Sequence, residues 1–344
     1  MPRRATSFSR RVRFPVLALA LSLFLSLTGC GLLGGDDNEP ADANASGQLE
    51  KPNLKISVMT TTDLAPFWLA VKSGYFRDAG FTFDPKTDVV TAKSGGDSVA
   101  KLTSKEVDIA YSSYTPFFVA KSKGAADIKL VSDASSAGPG ATMVVTMPNS
   151  PIKSIKDMTG KRVAVTARNT ISDLLVMSTL KTNGIDWKSI VWAEIPFPST
   201  ADALKAGQVD AAFLTEPFLA DAQKRVGAVP VFDTAQGPTA NMPTAGFAAN
   251  AEFVQKNPKT VAAWQKVMER ATNEAKQDRP KVESLLQEFA KIDPDTAKLS
   301  TLLQFQSSLD ATRIQRVVAL MLEFGVIKEN IDVSQMIASV PSSG

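Results

Sequence analysis

Apolar and polar positions along residues 54–249 switch repeatedly between two rhythms. Residues 54–59 (LKISVM) alternate with period two, as a half-buried strand does. Residues 60–63 form a polar turn rich in capping types, and 65–75 then follow helical spacing up to Gly74. The switch recurs, with strands predicted at 81–90, 108–111 and 128–132 and helices at 98–104 and 114–123. Gly138-Pro139-Gly140 breaks the series, and 141–147 (ATMVVTM) is read as a first strand crossing between two lobes. A second series places strands at 161–166, 190–195, 209–213 and 228–232, with helices at 170–183, 200–206 and 217–225. Residues 244–249 (TAGFAA) are read as the second crossing. Strands alternating with helices of about ten residues point to βαβ units and largely parallel sheets. From 257 onward the period is helical. Val261, Trp264, Met268, Ala271 and Ala275 form one apolar stripe, and Ile314, Val317, Val318, Met321 and Leu322 another. Both are read as core faces.

One stretch has an echo. Residues 204–218 read LKAGQVDAAFLTEPF, and 102–117 read LTSKEVDIAYSSYTPF. Leu102, Val107, Asp108, Ala110 and Tyr111 stand 102 positions before Leu204, Val209, Asp210, Ala212 and Phe213. Two copies of a helix–strand–helix unit imply two lobes of similar build. Ligands of open α/β sheets lie beyond the carboxyl ends of strands, so two such ends facing each other make a cleft.

Composition narrows the chemistry. The 344 residues fit two domains, and 44% apolar with 21% charged residues is ordinary for a globular chain. The net charge of +3 is misleading, because Arg3, Arg4, Arg10, Arg11 and Arg13 face no acid in residues 1–29. Removing those five from 38 basic residues leaves 33 against 35 acidic ones, and no nucleic-acid partner is expected. The chain has no histidine, so the commonest general base and metal ligand is missing. Its one cysteine, Cys30, excludes an intrachain disulfide and a cysteine metal cluster. No metal and no cofactor are expected.

Residues 14–27 form an apolar run behind the arginines. Fourteen residues at about 1.5 Å each fall short of a ~30 Å hydrocarbon core, so the run reads as a signal-peptide core. Leu27-Thr28-Gly29-Cys30 resembles the lipobox of bacterial lipoproteins. That resemblance implies removal of residues 1–29 and a lipid on Cys30. Residues 30–52, rich in Gly, Asp, Asn and Ala, then read as a flexible tether. The folded part is expected outside the cytoplasm, anchored to the cell membrane.

The segments 70–80 (AVKSGYFRDAG), 102–120 (LTSKEVDIAYSSYTPFFVA), 152–165 (IKSIKDMTGKRVAV), 180–186 (LKTNGID) and 203–218 (ALKAGQVDAAFLTEPF) carry a second resemblance. In order and spacing they resemble the substrate-binding proteins of bacterial ABC importers. The branch is the one holding aliphatic sulfonate, taurine, nitrate and thiamine-pyrimidine binders. It implies an α/β, type II periplasmic-binding-protein fold, two lobes joined by two crossing strands. Lobe 1 would be 54–140 plus 246–340, with the helical C-terminal part packed on it, and lobe 2 would be 141–245. It also implies a monomer whose partners are a small-molecule ligand and the importer's permease and ATPase.

Candidate contacts lie in the turns after strand ends. Thr61, Thr62 and Asp63 follow the first strand, and Ser94, Gly95 and Gly96 open a helix whose free N–H groups suit an anion. Tyr111, Ser112, Ser113 and Tyr114 follow the third strand. Arg168, Asn169 and Thr170 precede a helix in lobe 2, and Thr215, Glu216 and Phe218 complete the set. Helix capping, core packing or a solvated surface position is the plainer role for each. Glycine-rich helix starts with Arg168 suit a sulfonate, and Asp63 with Glu216 suits an amine, so a taurine-like solute ranks first. Tyr111, Tyr114 and Phe218 with the same carboxylates equally suit an aminopyrimidine. Two other classes remain. One is an enzyme on this fold, which the missing histidines disfavour. The other is a sensor or adhesion lipoprotein that docks on a protein.

Overall fold

Two sheets, each flanked by helices, are built by a chain that leaves the first sheet and later returns to it. The computed structural model describes residues 48–339. The expected signal peptide, Cys30 and most of the expected tether lie outside the described residues. The first sheet takes β1 (Ile56–Val58), β2 (Val89–Thr91), β3 (Ile109–Ser113) and β4 (Ile128–Ser136). The chain then makes a second sheet from β5 (Thr142–Thr146), β6 (Arg162–Val165), β7 (Val191–Glu194), β8 (Ala211–Thr215) and β9 (Val229–Asp233). It comes back as β10 (Pro243–Asn250) and ends with the short β11 (Gln304–Phe305).

Strand order explains the echo. The first sheet runs β11-β4-β10-β3-β1-β2 and the second β9-β5-β8-β6-β7. Apart from β11, the two orders match strand for strand, and so do the directions of pairing. The repeated Val-Asp pair has one job in both halves. Asp108 exchanges backbone bonding with Lys55, its N–H reaching the Lys55 carbonyl at 2.8 Å and its Oδ2 accepting the Lys55 N–H at 2.9 Å. Asp210 does the same with Arg162 at 2.9 and 2.8 Å. Each aspartate therefore ties its strand to the start of a parallel neighbour.

The sheets are mixed, not largely parallel. β10 runs antiparallel to β3 and β4, and β5 antiparallel to β8 and β9. The reason is connectivity, since each of these strands enters its sheet from the other half. The strands expected to cross lie whole within one sheet each. The crossings are the short segments before them, 137–141 and 234–242, which run side by side. Ala137 donates to the Met242 carbonyl at 2.8 Å and Thr234 to the Thr142 carbonyl at 3.0 Å. β10 joins the first sheet from Pro243, three residues before the expected boundary.

The C-terminal helices back the first sheet. Trp264, on the helix Pro258–Gln277, is fully buried with ring centroids 5.1 Å from Phe76 and 5.4 Å from Phe247. Its Nε1 donates to Ser132 Oγ at 3.0 Å, which satisfies the one polar atom. The helix Ala311–Glu323 buries Ile314, Val317 and Met321 in a cluster shared with both halves. The expected tether ends early. Glu50 Oε2 accepts the Thr260 N–H at 2.9 Å and its Oε1 accepts the Lys259 N–H at 3.1 Å, so it caps the helix Pro258–Gln277. Lys51 pairs with Asp108 at 2.7 Å.

Replacing Asp210 with Ala should lower stability by about 1 kcal/mol, because it frees a strand N–H and a half-exposed Arg162. The hydrogen-bonded Arg162 guanidinium holds the Asp210 carboxyl below its ordinary value. Its contribution is therefore present above the unfolded carboxylate pKa of about 3.9 and is lost as pH falls through the lower folded value. In urea titrations the gap between wild type and Asp210→Asn should shrink below about pH 4.

Candidate functional site

A cavity of about 70 Å³ lies between the two sheets. One water takes roughly 10–15 Å³ on this scale, so a small solute fits. The first half contributes Met59, Thr61 and Asp63 after β1, Gly95, and Tyr111 and Ser113 from β3. Thr244 and Ala245 of β10 join them. The second half contributes Thr142, Thr166, Thr170, Ile171, Ser172 and Leu175, with Phe197, Phe213 and Thr215. Leu303, just before β11, completes the wall.

Asp63 is the centre of the polar chemistry. It is 3% exposed, on the one-turn helix that follows β1. Its Oδ2 accepts the Tyr111 hydroxyl at 2.5 Å and the Ser135 hydroxyl at 2.6 Å. Thr244 Oγ1 lies 2.6 Å from Ser135 Oγ, and Thr61 Oγ1 lies 3.3 Å from the Tyr111 hydroxyl. Burial first, and the Asp63 charge second, push the Tyr111 phenol well above its ordinary value, so it stays a neutral donor. Asp63 Oδ1, in contrast, is buried with no hydrogen-bond partner among the described residues. A buried carboxylate oxygen left unanswered costs about 1–3 kcal/mol or more.

Two helix starts meet the cavity from opposite sides. Ser94 caps the helix Gly95–Thr103 by accepting the Asp97 N–H at 3.2 Å. The N–H groups of Gly95 and Gly96 have no acceptor within that helix. A Cβ at Gly95 would stand 2.6 Å from Ser112 Oγ and 3.3 Å from Pro116 Cγ, so any larger residue forces these neighbours to shift. Across the cavity, Asp173 secures the start of the helix Ile171–Thr182, accepting from Thr170 N–H at 2.8 Å and Asn169 N–H at 2.9 Å. Burial raises the Asp173 carboxyl, and Arg168 with these N–H groups pulls it back down.

Of the expected contacts, Thr61, Asp63, Gly95, Tyr111, Ser113, Thr170 and Thr215 line the cavity. The others stand behind it. Thr62 is buried, with its N–H on the Glu216 carbonyl at 3.2 Å. Ser94 is a cap, Gly96 follows Gly95 along the helix, and Ser112 packs against Gly95. Tyr114 donates to Asp133 at 2.7 Å, deep in the first half. Asn169, at φ 59°, serves the Asp173 cap. Arg168 lies over Trp192, 4.5 Å from the ring centroid and 3.1 Å from Asp173 Oδ2. Glu216 is bonded to Ala220 and Thr301, and Phe218 stacks on Phe197 at 5.2 Å. Thr215 lines the wall and also donates to the Ala141 carbonyl at 3.0 Å. No lysine or arginine is among the residues that line the cavity.

Sequence reasoning missed Met59, Thr142, Thr166, Ile171, Ser172 and Leu175. It also missed Phe197, Phe213, Thr244, Ala245 and Leu303. Phe197 was within reach, because it stands at the echo's offset from Gly95. Leu303 had no local signal, since the strand it precedes has two residues.

This architecture defines a type II periplasmic-binding-protein fold with its cavity between the sheets. Residues 61–281 match the family described as NMT1/THI5 like, and the chain belongs to that family. Among solved structures, the alkanesulfonate-binding protein SsuA from Xanthomonas axonopodis pv. citri, bound to MOPS, is similar with TM-score 0.71 and 16% identity, over 83% of this chain and 98% of that one. The periplasmic nitrate-binding protein NrtA from Synechocystis PCC 6803 is similar with TM-score 0.71 and 16% identity, over 86% of this chain and 87% of that one. DSZB in complex with biphenyl-2-sulfinic acid is similar with TM-score 0.61 and 15% identity, over 83% and 96%. No curated protein sequence matches.

Gly95→Ala should displace the helix start by its contact with Ser112. Overpacking of this kind costs about 1–3 kcal/mol, and differential scanning calorimetry should show a Tm several degrees lower.

Proposed function

We propose that this chain is the extracytoplasmic solute-binding component of an ABC importer, which captures a small polar solute between two lobes and delivers it to a permease. The lobes in this reading are residues 54–140 with 246–340, and 141–245, behind a lipid on Cys30. Family membership and the cavity between matched sheets support it. Binding fits better than turnover, because the chain has no histidine and its one cysteine is read as the lipid site.

The unpartnered Asp63 Oδ1 carries the finer reading. A solute that presents an ammonium or N–H group there removes an uncompensated buried charge. A taurine-like aminosulfonate would place its amine on Asp63. Its sulfonate would lie at the helix starts of Gly95 and Ile171, where free N–H groups and the dipole favour negative charge. Plain nitrate would meet a carboxylate with no cation beside it. A thiamine-related aminopyrimidine is the second reading. Phe197, Phe213, Leu175 and Leu303 favour it, since they offer an apolar wall to a flat ring.

Thermal-shift titration with taurine, alkanesulfonates, aminopyrimidines and nitrate tests both. A true solute at about 100 times its Kd should stabilise the protein by roughly 2.7 kcal/mol, a rise of several degrees in Tm. Asp63→Asn should weaken that solute at least tenfold. Absence of any shift across the panel would remove the binding reading.

A further inference from the structure

Glu216 follows β8 in the second half, yet two of its acceptors serve the first half. Its side chain is 3% exposed by residue and does not line the cavity. Its Oε2 accepts the Ala220 N–H at 3.0 Å, within its own half. Its Oε1 accepts the Thr301 N–H at 3.1 Å, in the strap that leads from the helix Pro294–Leu299 to β11 on the first sheet. Its carbonyl accepts the Thr62 N–H at 3.2 Å, one residue before Asp63. Both outside donors neighbour the cavity wall, Thr62 between Thr61 and Asp63, and Thr301 two residues before Leu303.

We propose that Glu216 is a fastener between the two halves, not a solute contact, and that it ties the two walls of the cavity to each other. Each carboxylate oxygen already accepts a backbone N–H, and the side chain does not reach the cavity wall. Separating the halves would break two hydrogen bonds at one residue and leave half of a carboxylate without its donor. Lys224 with Asp293, and Lys181 with Glu323, join helices of the second half to C-terminal helices at 2.7 Å each. Those pairs are exposed and contribute little in salt. Glu216 itself is buried, as is Thr62, so this bridge is less exposed to salt than those pairs. Burial raises its carboxyl above the ordinary range, and the Ala220 and Thr301 N–H groups hold it back. This inference goes beyond the solute-binding reading and does not depend on which solute is bound.

Hydrogen–deuterium exchange on the full chain, with no solute added, tests it. The amides of Thr301 and Thr62 should exchange at least tenfold more slowly than free peptide in the wild type. Glu216→Ala should speed both at least tenfold and leave the amides of β3 and β8 unchanged. Glu216→Gln keeps an acceptor oxygen and should recover part of the protection. Thr301→Pro deletes the donor with Glu216 intact, and should still loosen Thr62. The proposal is overturned if the wild-type amides are unprotected, or if Glu216→Ala affects only residues 217–221. It is equally overturned if Thr301→Pro leaves Thr62 as slow as before.

Discussion

A carboxylate taken out of water must be answered by donors, and the site is arranged around that demand. Asp63 draws Tyr111 from β3 and Ser135 from β4, so two strands of the first sheet converge on one oxygen. Ser135 in turn meets Thr244 of β10, the strand that returns from the other half. The same carboxylate keeps its second oxygen unanswered beside a cavity. The first half is thereby rigid where it must be, and incomplete in the direction of a guest.

The second constraint is connectivity. A chain that crosses between sheets twice must insert one reversed strand into the middle of each. β5 and β10 are those strands, and their two approaches lie side by side. Whatever relative motion the halves have must be absorbed in segments 137–141 and 234–242. Arg316 steadies the second of these from the helix Ala311–Glu323, donating to the carbonyls of Pro238, Ala240 and Asn241.

Hydrophobic period made the fold legible, because strand and helix rhythms are local. It could not give strand direction, which depends on where the chain has come from. It also overextended β2. Residues 81–90 alternate well, but Asp84 and Asp88 bond each other's backbone into a turn, and only Val89–Thr91 pair. At the site, turns after strands were readable from Thr, Asp, Gly and Ser. Arg168 was misleading for a physical reason. A guanidinium is drawn to an indole face and a buried carboxylate as readily as to a solute, and sequence does not say which it meets. The echo held more than was drawn from it, since its offset also relates Gly95 to Phe197 and β2 to β7.

The cap that Glu50 places on the helix Pro258–Gln277 has a mechanical consequence. That helix carries Trp264 into the aromatic heart of the first sheet. A pull on the backbone near residue 48 is therefore delivered first to the aromatic packing behind the first sheet.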